Sequence, residues 1–165
     1  MTDGVEQSNE SVSDTGTSRG FLTTTVLVDW QAGVVAGLAG AAVMGILVSL
    51  MNPVVLRRAI PAMYGLSGGV VGWAVHLSHG AVIGVGFAAA LQSLPFDRPG
   101  AGAKLGFGLV WGVAMWVGLA ALVMPVWLSV VGAPMPPMVP NFAVPSLLWH
   151  LVYGGVLGAV YQILR

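Results

Sequence analysis

The sequence lacks cysteine altogether and carries few charges. Its 165 residues include no Cys, six Lys or Arg, and six Asp or Glu. The absence of cysteine excludes a disulfide framework, a thiolate nucleophile and a cysteine metal site. Charged residues make up 7% of the chain, against roughly a quarter in an ordinary soluble domain, so a soluble globule is excluded. The zero formal net charge gives no electrostatic footprint for nucleic acid, which is therefore not expected as a partner.

Charge is missing from long continuous stretches. No Asp, Glu, Lys or Arg occurs in residues 105–164, and only Arg57 and Arg58 interrupt residues 30–94. Because a membrane-spanning helix needs about twenty mostly apolar residues, the sequence predicts an all-α integral membrane protein, a four-helix bundle in the lipid bilayer. The first hairpin is predicted at 30–94, with spans at about 30–51 and 70–91, and the second at 105–164, with spans at about 105–128 and 145–164.

The first residues and the basic side chains predict the topology. Residues 1–22 are rich in Ser, Thr, Gly and acidic residues, which is typical of a disordered polar tail. Orientation follows from Lys and Arg in short loops. A cytoplasmic N-terminus places four basic residues inside and two outside, so we expect a multi-pass protein of the plasma membrane with both termini cytoplasmic. The inside set is Arg19, Arg98, Lys104 and Arg165, and the outside set is Arg57 and Arg58.

The second and fourth spans share one sequence pattern. HLSHGAVIGVGF, residues 76–87, aligns without a gap with HLVYGGVLGAVY, residues 150–161, at a shift of 74 positions. This similarity predicts two tandem hairpins that enter the membrane in the same direction, related by an axis along the membrane normal. If the second and fourth helices face one another, then His76 and His150 also face one another at the same depth.

Glycines four residues apart occur in every predicted span. In lipid, such pairs let helix backbones approach closely enough for van der Waals contact, so we expect them to pack the bundle. Pro125 lies so near the end of the third span that we expect it to terminate that helix. The uncharged, proline-rich loop that follows, or the connection after the first span, is placed to form a lid over the histidines. The predicted packing glycines are Gly33, Gly37, Gly80, Gly84, Gly108, Gly112, Gly154 and Gly158.

The two aligned endings, the glycine-rich first span and the proline-rich outer connection together resemble a known family. It consists of small polytopic membrane proteins of halophilic archaea and some bacteria and has no established activity. The resemblance covers about residues 31–164 and implies a multi-pass, archaeal-type membrane protein. Members are sometimes labelled histidine kinases, but nothing in this chain could form a soluble nucleotide-binding domain, so we do not carry that label over.

Ionisable residues within spans are the candidate site. His76, His79, His150 and Tyr153 form a predicted polar cluster between the second and fourth spans. Burying such groups in lipid is expensive, which makes them a functional hypothesis by default. Neutral histidines can instead hydrogen-bond across helices and fix their rotation. A facing imidazole pair can bind haem iron, and three histidines can bind zinc or copper. A relay for protons or a small solute is a further alternative.

The sequence predicts no enzyme, since it contains neither a Ser/His/Asp constellation at one membrane face nor a nucleotide-binding motif. We expect a packing or accessory component of the membrane without a cofactor. Its expected partners are the bilayer, other membrane proteins or a second copy of the chain. The alternative is a haem-binding or proton- or small-solute-handling membrane protein, and metal binding stays open.

Overall fold

The computed structural model describes residues 27–95 and 100–165, and all regular structure in these residues is helical. The tail predicted at 1–22 lies outside the described residues. Four helices are long and apolar enough to cross a membrane, which confirms the predicted number of spans. We number them α1 (Asp29–Met51), α2 (Gly69–Gln92), α3 (Ala101–Val130) and α4 (Val144–Leu164). The end of the bundle near residues 27 and 165 is called the inner end, and the opposite one the outer end.

Local chemistry explains where three of these helices begin. Asp29 in the first turn of α1 puts a negative charge at the positive end of the helix dipole. Pro145 lies in the first turn of α4, where a missing N–H breaks no helical hydrogen bond. Gly68, immediately before α2, has a φ of 106°, a conformation that a residue with a side chain rarely adopts.

Helix α1 is the centre of the bundle and packs against both α2 and α4. Its buried residues are almost all Gly or Ala, and they form two stripes with a spacing of four residues. Because both stripes consist of small residues, the α1 backbone can lie close to two neighbouring helices at the same time. The stripe toward α2 is Gly33, Gly37, Ala41 and Gly45, and the stripe toward α4 is Ala32, Ala36 and Gly40.

Helix α4 presents large residues to α1 and small ones to α3. Tyr153, Leu157 and Tyr161 recur every four residues and are buried in one cluster with Ala32 and Ala36 of α1. Large side chains on one helix therefore fill the space left by small ones on the other. The adjacent stripe of α4, with Gly154 and Gly158, meets Gly108 and Gly112 of α3.

Backbone contacts hold each hairpin together. In the first hairpin, a Cβ added at Gly37 would collide with the carbonyl oxygen of Gly80, and one at Gly84 with that of Gly33. In the second hairpin, a Cβ added at Gly108 would collide with the carbonyl oxygen of Gly154. At each of the eight glycines singled out in the sequence, an added Cβ would collide with an atom of the neighbouring helix, which at Gly80 is the Ala41 Cβ and elsewhere is a backbone carbonyl oxygen. No side chain larger than hydrogen therefore fits at them without a shift of the helices.

The expectation that Pro125 ends the third span is wrong, because α3 continues through it to Val130. The residues just before it, Trp116–Val123, form a wider π-helical turn. Proline lacks an N–H, and its ring would clash with the carbonyl four residues back in a regular helix. That carbonyl belongs to Ala121, and it accepts the backbone N–H of Asn141 from the following loop at 2.8 Å. The loop therefore supplies the hydrogen bond that proline removes.

The same arrangement occurs between α1 and α2. We call residues 53–66 the outer connector; it contains a π-helical turn, Val55–Ala59, directly before Ile60 and Pro61. The carbonyl four residues before Pro61 is that of Arg57, and it accepts the backbone N–H of Gly68 at 3.0 Å. In both hairpins the chain that leads into the next span thus satisfies the carbonyl freed by a proline.

The outer connector covers the outer end of the bundle. Leu56 and Ile60 are buried in one apolar cluster with Val48 of α1 and Trp149 of α4. This burial fixes the connector across two helices from different hairpins.

At the inner end, an ion pair joins the first and last helices. The Arg165 Nε lies 2.6 Å from the Asp29 Oδ1, and the Arg165 Nη1 donates to the Leu27 carbonyl at 2.7 Å. The Tyr161 hydroxyl donates to the same Asp29 oxygen at 3.1 Å. The two ends of the described region are therefore tied together.

We predict that Asn141→Pro destabilises the fold by about 1–2 kcal/mol, because it leaves the buried Ala121 carbonyl without its donor. The free energy of unfolding in mixed detergent micelles, followed by circular dichroism, measures this change. Asn141→Ala is the control, since it keeps the backbone N–H and should change stability by less than about 0.5 kcal/mol. Equal losses in both variants would contradict the role assigned to the N–H.

Candidate functional site

His76 is held between α2 and α1. Its Nε2 lies 2.9 Å from the carbonyl oxygen of Ala41, and the residue is 8% exposed. Since a carbonyl only accepts, His76 carries a proton on Nε2. This carbonyl is within reach because the residue four positions later, which would otherwise cover it, is Gly45. A Cβ added at Gly45 would lie 2.6 Å from the Trp73 ring and 3.2 Å from the His76 Cδ2.

His150 forms its hydrogen bond within its own helix. Its Nδ1 donates to the Ser146 carbonyl at 2.7 Å, and Gly112 of α3 packs on the His150 backbone. The predicted facing of the second and fourth helices is not observed, because the small residues of α1 let that helix take the place beside α4. His76 and His150 consequently use different nitrogens and acceptors on different helices.

Haem binding gains no support from this arrangement. The Nε2 of His76 is bonded to protein, and one turn further along, Gly80 is in contact with Ala41 and Gly37, which leaves no space there for a porphyrin. Across residues 27–95 and 100–165, no group of three or more His, Asp or Glu lies close enough together to hold a metal ion.

Tyr153 joins the two hairpins. Its hydroxyl donates to the carbonyl of Gly80 in α2 at 2.9 Å, and the side chain is 3% exposed. The Gly80 carbonyl is open to this donor because the residue four positions later is Gly84. The Tyr153 ring itself packs against Gly40 of α1. One side chain of α4 therefore contacts both helices of the first hairpin.

His79 has a partner that sequence reasoning missed. Its Nε2 lies 2.7 Å from the hydroxyl oxygen of Tyr64 in the outer connector, and the two ring centroids are 5.8 Å apart. His79 is ten residues beyond the start of α2, roughly 15 Å along the helix axis. The connector turns next to Tyr64, at Gly65 with a φ of 68°. Pro61 and Gly65 signal this turn in the sequence, but no pattern pairs Tyr64 with His79.

Beside this pair lies an open cavity, which we call the lateral cleft. It has a volume of about 320 Å³ and is lined by Tyr64, Ala74, Val75, Ser78 and His79. All five lining residues belong to the outer connector or to α2, and α2 makes few contacts with α3.

Two contacts between the hairpins bound the region of the lateral cleft. Toward the inner end, the Phe87 ring of α2 lies 5.3 Å from the Phe107 ring and 6.2 Å from the Trp111 ring of α3, measured between centroids. Toward the outer end, the Trp127 indole N–H of α3 donates to the Met63 carbonyl of the outer connector at 2.8 Å. The four predicted site residues thus bond to four different partners. Of the four, His79 is the one that lines the lateral cleft.

Four apolar spans of this length indicate a multi-pass membrane protein. The chain belongs to the "Family of unknown function (DUF6789)", whose model matches residues 27–165. No curated protein and no solved structure matches the chain. The family assignment agrees with the expected kinship to a family without an established activity, and the archaeal source stays a prediction.

We predict that Tyr153→Phe lowers the free energy of unfolding by about 1 kcal/mol, since it removes an interhelical hydrogen bond while keeping the packed ring. Unfolding in mixed micelles measures the loss. Ser78→Ala is the control: the Ser78 hydroxyl donates to Ala74 within its own helix and is exposed, so its removal should be nearly neutral. A Tyr153→Phe protein as stable as the parent would argue against the bond to Gly80.

Proposed function

We propose that the protein is a packing or accessory component of the plasma membrane, without catalytic activity or a cofactor of its own. The observation that carries this proposal is the direct backbone contact between glycines in both hairpins. Close contact of this kind is the main source of helix association in lipid. Where two backbones touch, no channel for a substrate passes between the helices. We therefore expect the protein to act through contacts of its outer surface with lipid or with other membrane proteins.

Its proposed partners are the bilayer and neighbouring membrane proteins or a second copy of the chain. Helix α3 supports this idea because only 17% of its most apolar stretch is buried inside the bundle, against 33% in each of the other three spans. It therefore offers the largest surface for contacts outside the bundle.

We further propose that the bundle arose by duplication of one hairpin. Two correspondences support this. Glycine pairs of one helix meet glycine pairs of the next in each hairpin, and a proline in each hairpin frees a carbonyl that the chain ahead of the next span satisfies. The contacting pairs are Gly33 and Gly37 with Gly80 and Gly84, and Gly108 and Gly112 with Gly154 and Gly158.

Both termini are proposed to be cytoplasmic. Among the described residues, Arg57 and Arg58 lie on the outer connector, whereas Lys104 and Arg165 lie at the inner end. Basic residues accumulate on the cytoplasmic side of membrane proteins. The other two residues of the prediction, Arg19 and Arg98, fall outside the described residues.

The alternative function, handling of protons or small solutes by a His/Tyr cluster, has less support. A relay needs side chains linked into one path. Here His76, His79 and His150 each bond to a different group: a carbonyl of α1, a tyrosine of the connector and a carbonyl of α4.

The packing function predicts that Gly154→Leu disrupts folding in detergent more than His150→Gln does. A side chain at Gly154 would enter the backbone of α3, where a Cβ would collide with the Gly108 carbonyl oxygen. We expect a loss of several kcal/mol, beyond the roughly 1–3 kcal/mol usual for overpacking, because the obstacle is backbone. Thermal unfolding and gel filtration of the purified variants measure the ranking.

Gly155→Leu is the matched control, since it is the same substitution on the next residue. A Cβ at Gly155 would make an ordinary contact, 3.5 Å from the Leu109 Cδ2. Gly155→Leu should therefore remain folded. If His150→Gln or Gly155→Leu were the more damaging change, glycine packing could not be the main role of this helix.

The proposed lack of a cofactor predicts that protein purified from haem-replete cells shows no Soret absorption, either as isolated or after reduction with dithionite. The reason is that the His76 Nε2 donates a hydrogen bond to the Ala41 carbonyl and so is not free to bind haem iron. A Soret band that co-purifies in stoichiometric amount and is lost in both His76→Ala and His150→Ala would refute the proposal.

A further inference from the structure

The lateral cleft lies within the depth of the membrane and opens sideways. His79 is roughly 15 Å along α2 from its outer end, in a helix of roughly 36 Å, which places the cleft within a hydrocarbon layer about 30 Å thick. Ala74 and Ser78, which line it, are exposed on the surface of the bundle. A molecule that enters the cleft from the side therefore comes from the lipid phase and must be lipid-soluble.

The Tyr64–His79 pair has one donor and one acceptor that its mutual hydrogen bond does not use. If the Tyr64 hydroxyl donates to Nε2, the Nδ1–H of His79 is a free donor and the phenol oxygen a free acceptor. If Nε2–H donates to Tyr64, the phenol O–H is the free donor and Nδ1 the free acceptor. In either tautomer the pair offers one donor and one acceptor, and His79 Nδ1 forms no hydrogen bond with any of the described residues. Unsatisfied polar groups are costly at this depth.

The chemistry of the lining also limits the charge of a ligand. Tyr64, Ala74, Val75, Ser78 and His79 include no Asp, Glu, Lys or Arg that could pair with an ion. Because an unpaired charge in the hydrocarbon layer is expensive, the group that meets the pair is neutral. A neutral group that both matches a donor or acceptor and dissolves in lipid is a carbonyl or a hydroxyl.

At the corresponding position of the second hairpin, the polar side chain is buried against a neighbouring helix. Tyr153, which aligns with His79 at the 74-residue shift, is buried where α4 packs against α1, and its hydroxyl donates to Gly80 of α2. The matching contact of the first hairpin would be that of α2 with α3, but those helices make few contacts with each other. The contact between hairpins that is extensive in one half of the bundle is therefore sparse in the other, and His79 borders the lateral cleft instead of being buried by a neighbouring helix.

We propose that the lateral cleft binds a neutral, lipid-soluble molecule whose carbonyl or hydroxyl group hydrogen-bonds to Tyr64 and His79. The volume of about 320 Å³ lies at the lower end of the range for small-ligand sites, so the cleft takes the polar head while the apolar remainder lies along α2 in the bilayer. The site is independent of the packing function, because neither residue belongs to the glycine contacts.

The test is photo-cross-linking of the full chain in lipid nanodiscs with a long-chain primary alcohol that carries a diazirine next to its hydroxyl group. Mass spectrometry locates the adducts. We expect adducts at Tyr64 and in residues 74–79, and we expect decylubiquinone, a neutral carbonyl compound, to compete for this position. A fatty acid with the same diazirine should label the position less at neutral pH, because its carboxylate is charged.

Tyr64→Phe and His79→Leu should each reduce labelling at the cleft on the order of fivefold, the value of one net hydrogen bond. Tyr153→Phe is the matched control, since it removes the same hydroxyl from a residue outside the cleft, and it should label like the parent. Ala74→Trp should block labelling by filling the cavity while the pair stays intact. If Tyr64→Phe or His79→Leu unfolds, the labelling of Ala74→Trp still tests whether the cleft binds the probe.

Three results would each overturn the proposal. The first is unchanged labelling in both Tyr64→Phe and His79→Leu, or in Ala74→Trp. The second is an even spread of adducts over the exposed residues of α2 and α3, which would indicate bulk lipid only. The third is stronger labelling by the fatty acid than by the alcohol, which would require an anionic ligand.

Discussion

The closeness with which two helix backbones approach is the constraint on which this bundle depends. In lipid there is no hydrophobic force between helices, so association rests on van der Waals contact and interhelical hydrogen bonds. Glycine serves both needs here. It lets the backbones touch, as at Gly37 and Gly80, and it uncovers the carbonyl one turn earlier in the same helix. His76 and Tyr153 donate to carbonyls uncovered in this way, so the polar contacts of the spans are a consequence of the packing.

A second consequence concerns the order of the helices. Because α1 has Gly and Ala on two of its faces, one face packs closely against α2 and the other packs against the large side chains of α4. The central contact of the bundle therefore joins the first helix to the last, and the ion pair of Asp29 with Arg165 closes it at the inner end. Helix α3 is left with α4 as its main neighbour, and the lateral cleft lies where the outer connector meets α2.

The prolines illustrate how far sequence reasoning reaches. That Pro125 disturbs a helix follows from its missing N–H and needs no structure. Whether the helix ends there or continues depends on whether another group satisfies the freed carbonyl. Asn141 does so from the following loop, and Gly68 does the same for Arg57 in the first hairpin. These donors are 20 and 11 residues away in the chain, and no local pattern identifies them.

The sequence by itself determined the number of spans and the positions at which glycine repeats every four residues, because composition and helical spacing are local properties of the chain. Only the tertiary structure decided which helices are neighbours, and with that the separate partners of His76, His79 and His150. The physical reason is that a side chain in lipid bonds to whatever carbonyl or hydroxyl lies opposite it. For His76 and Tyr64 that group is set by the side-by-side order of the helices and by the fold of the connector, neither of which is encoded in the spacing of nearby residues.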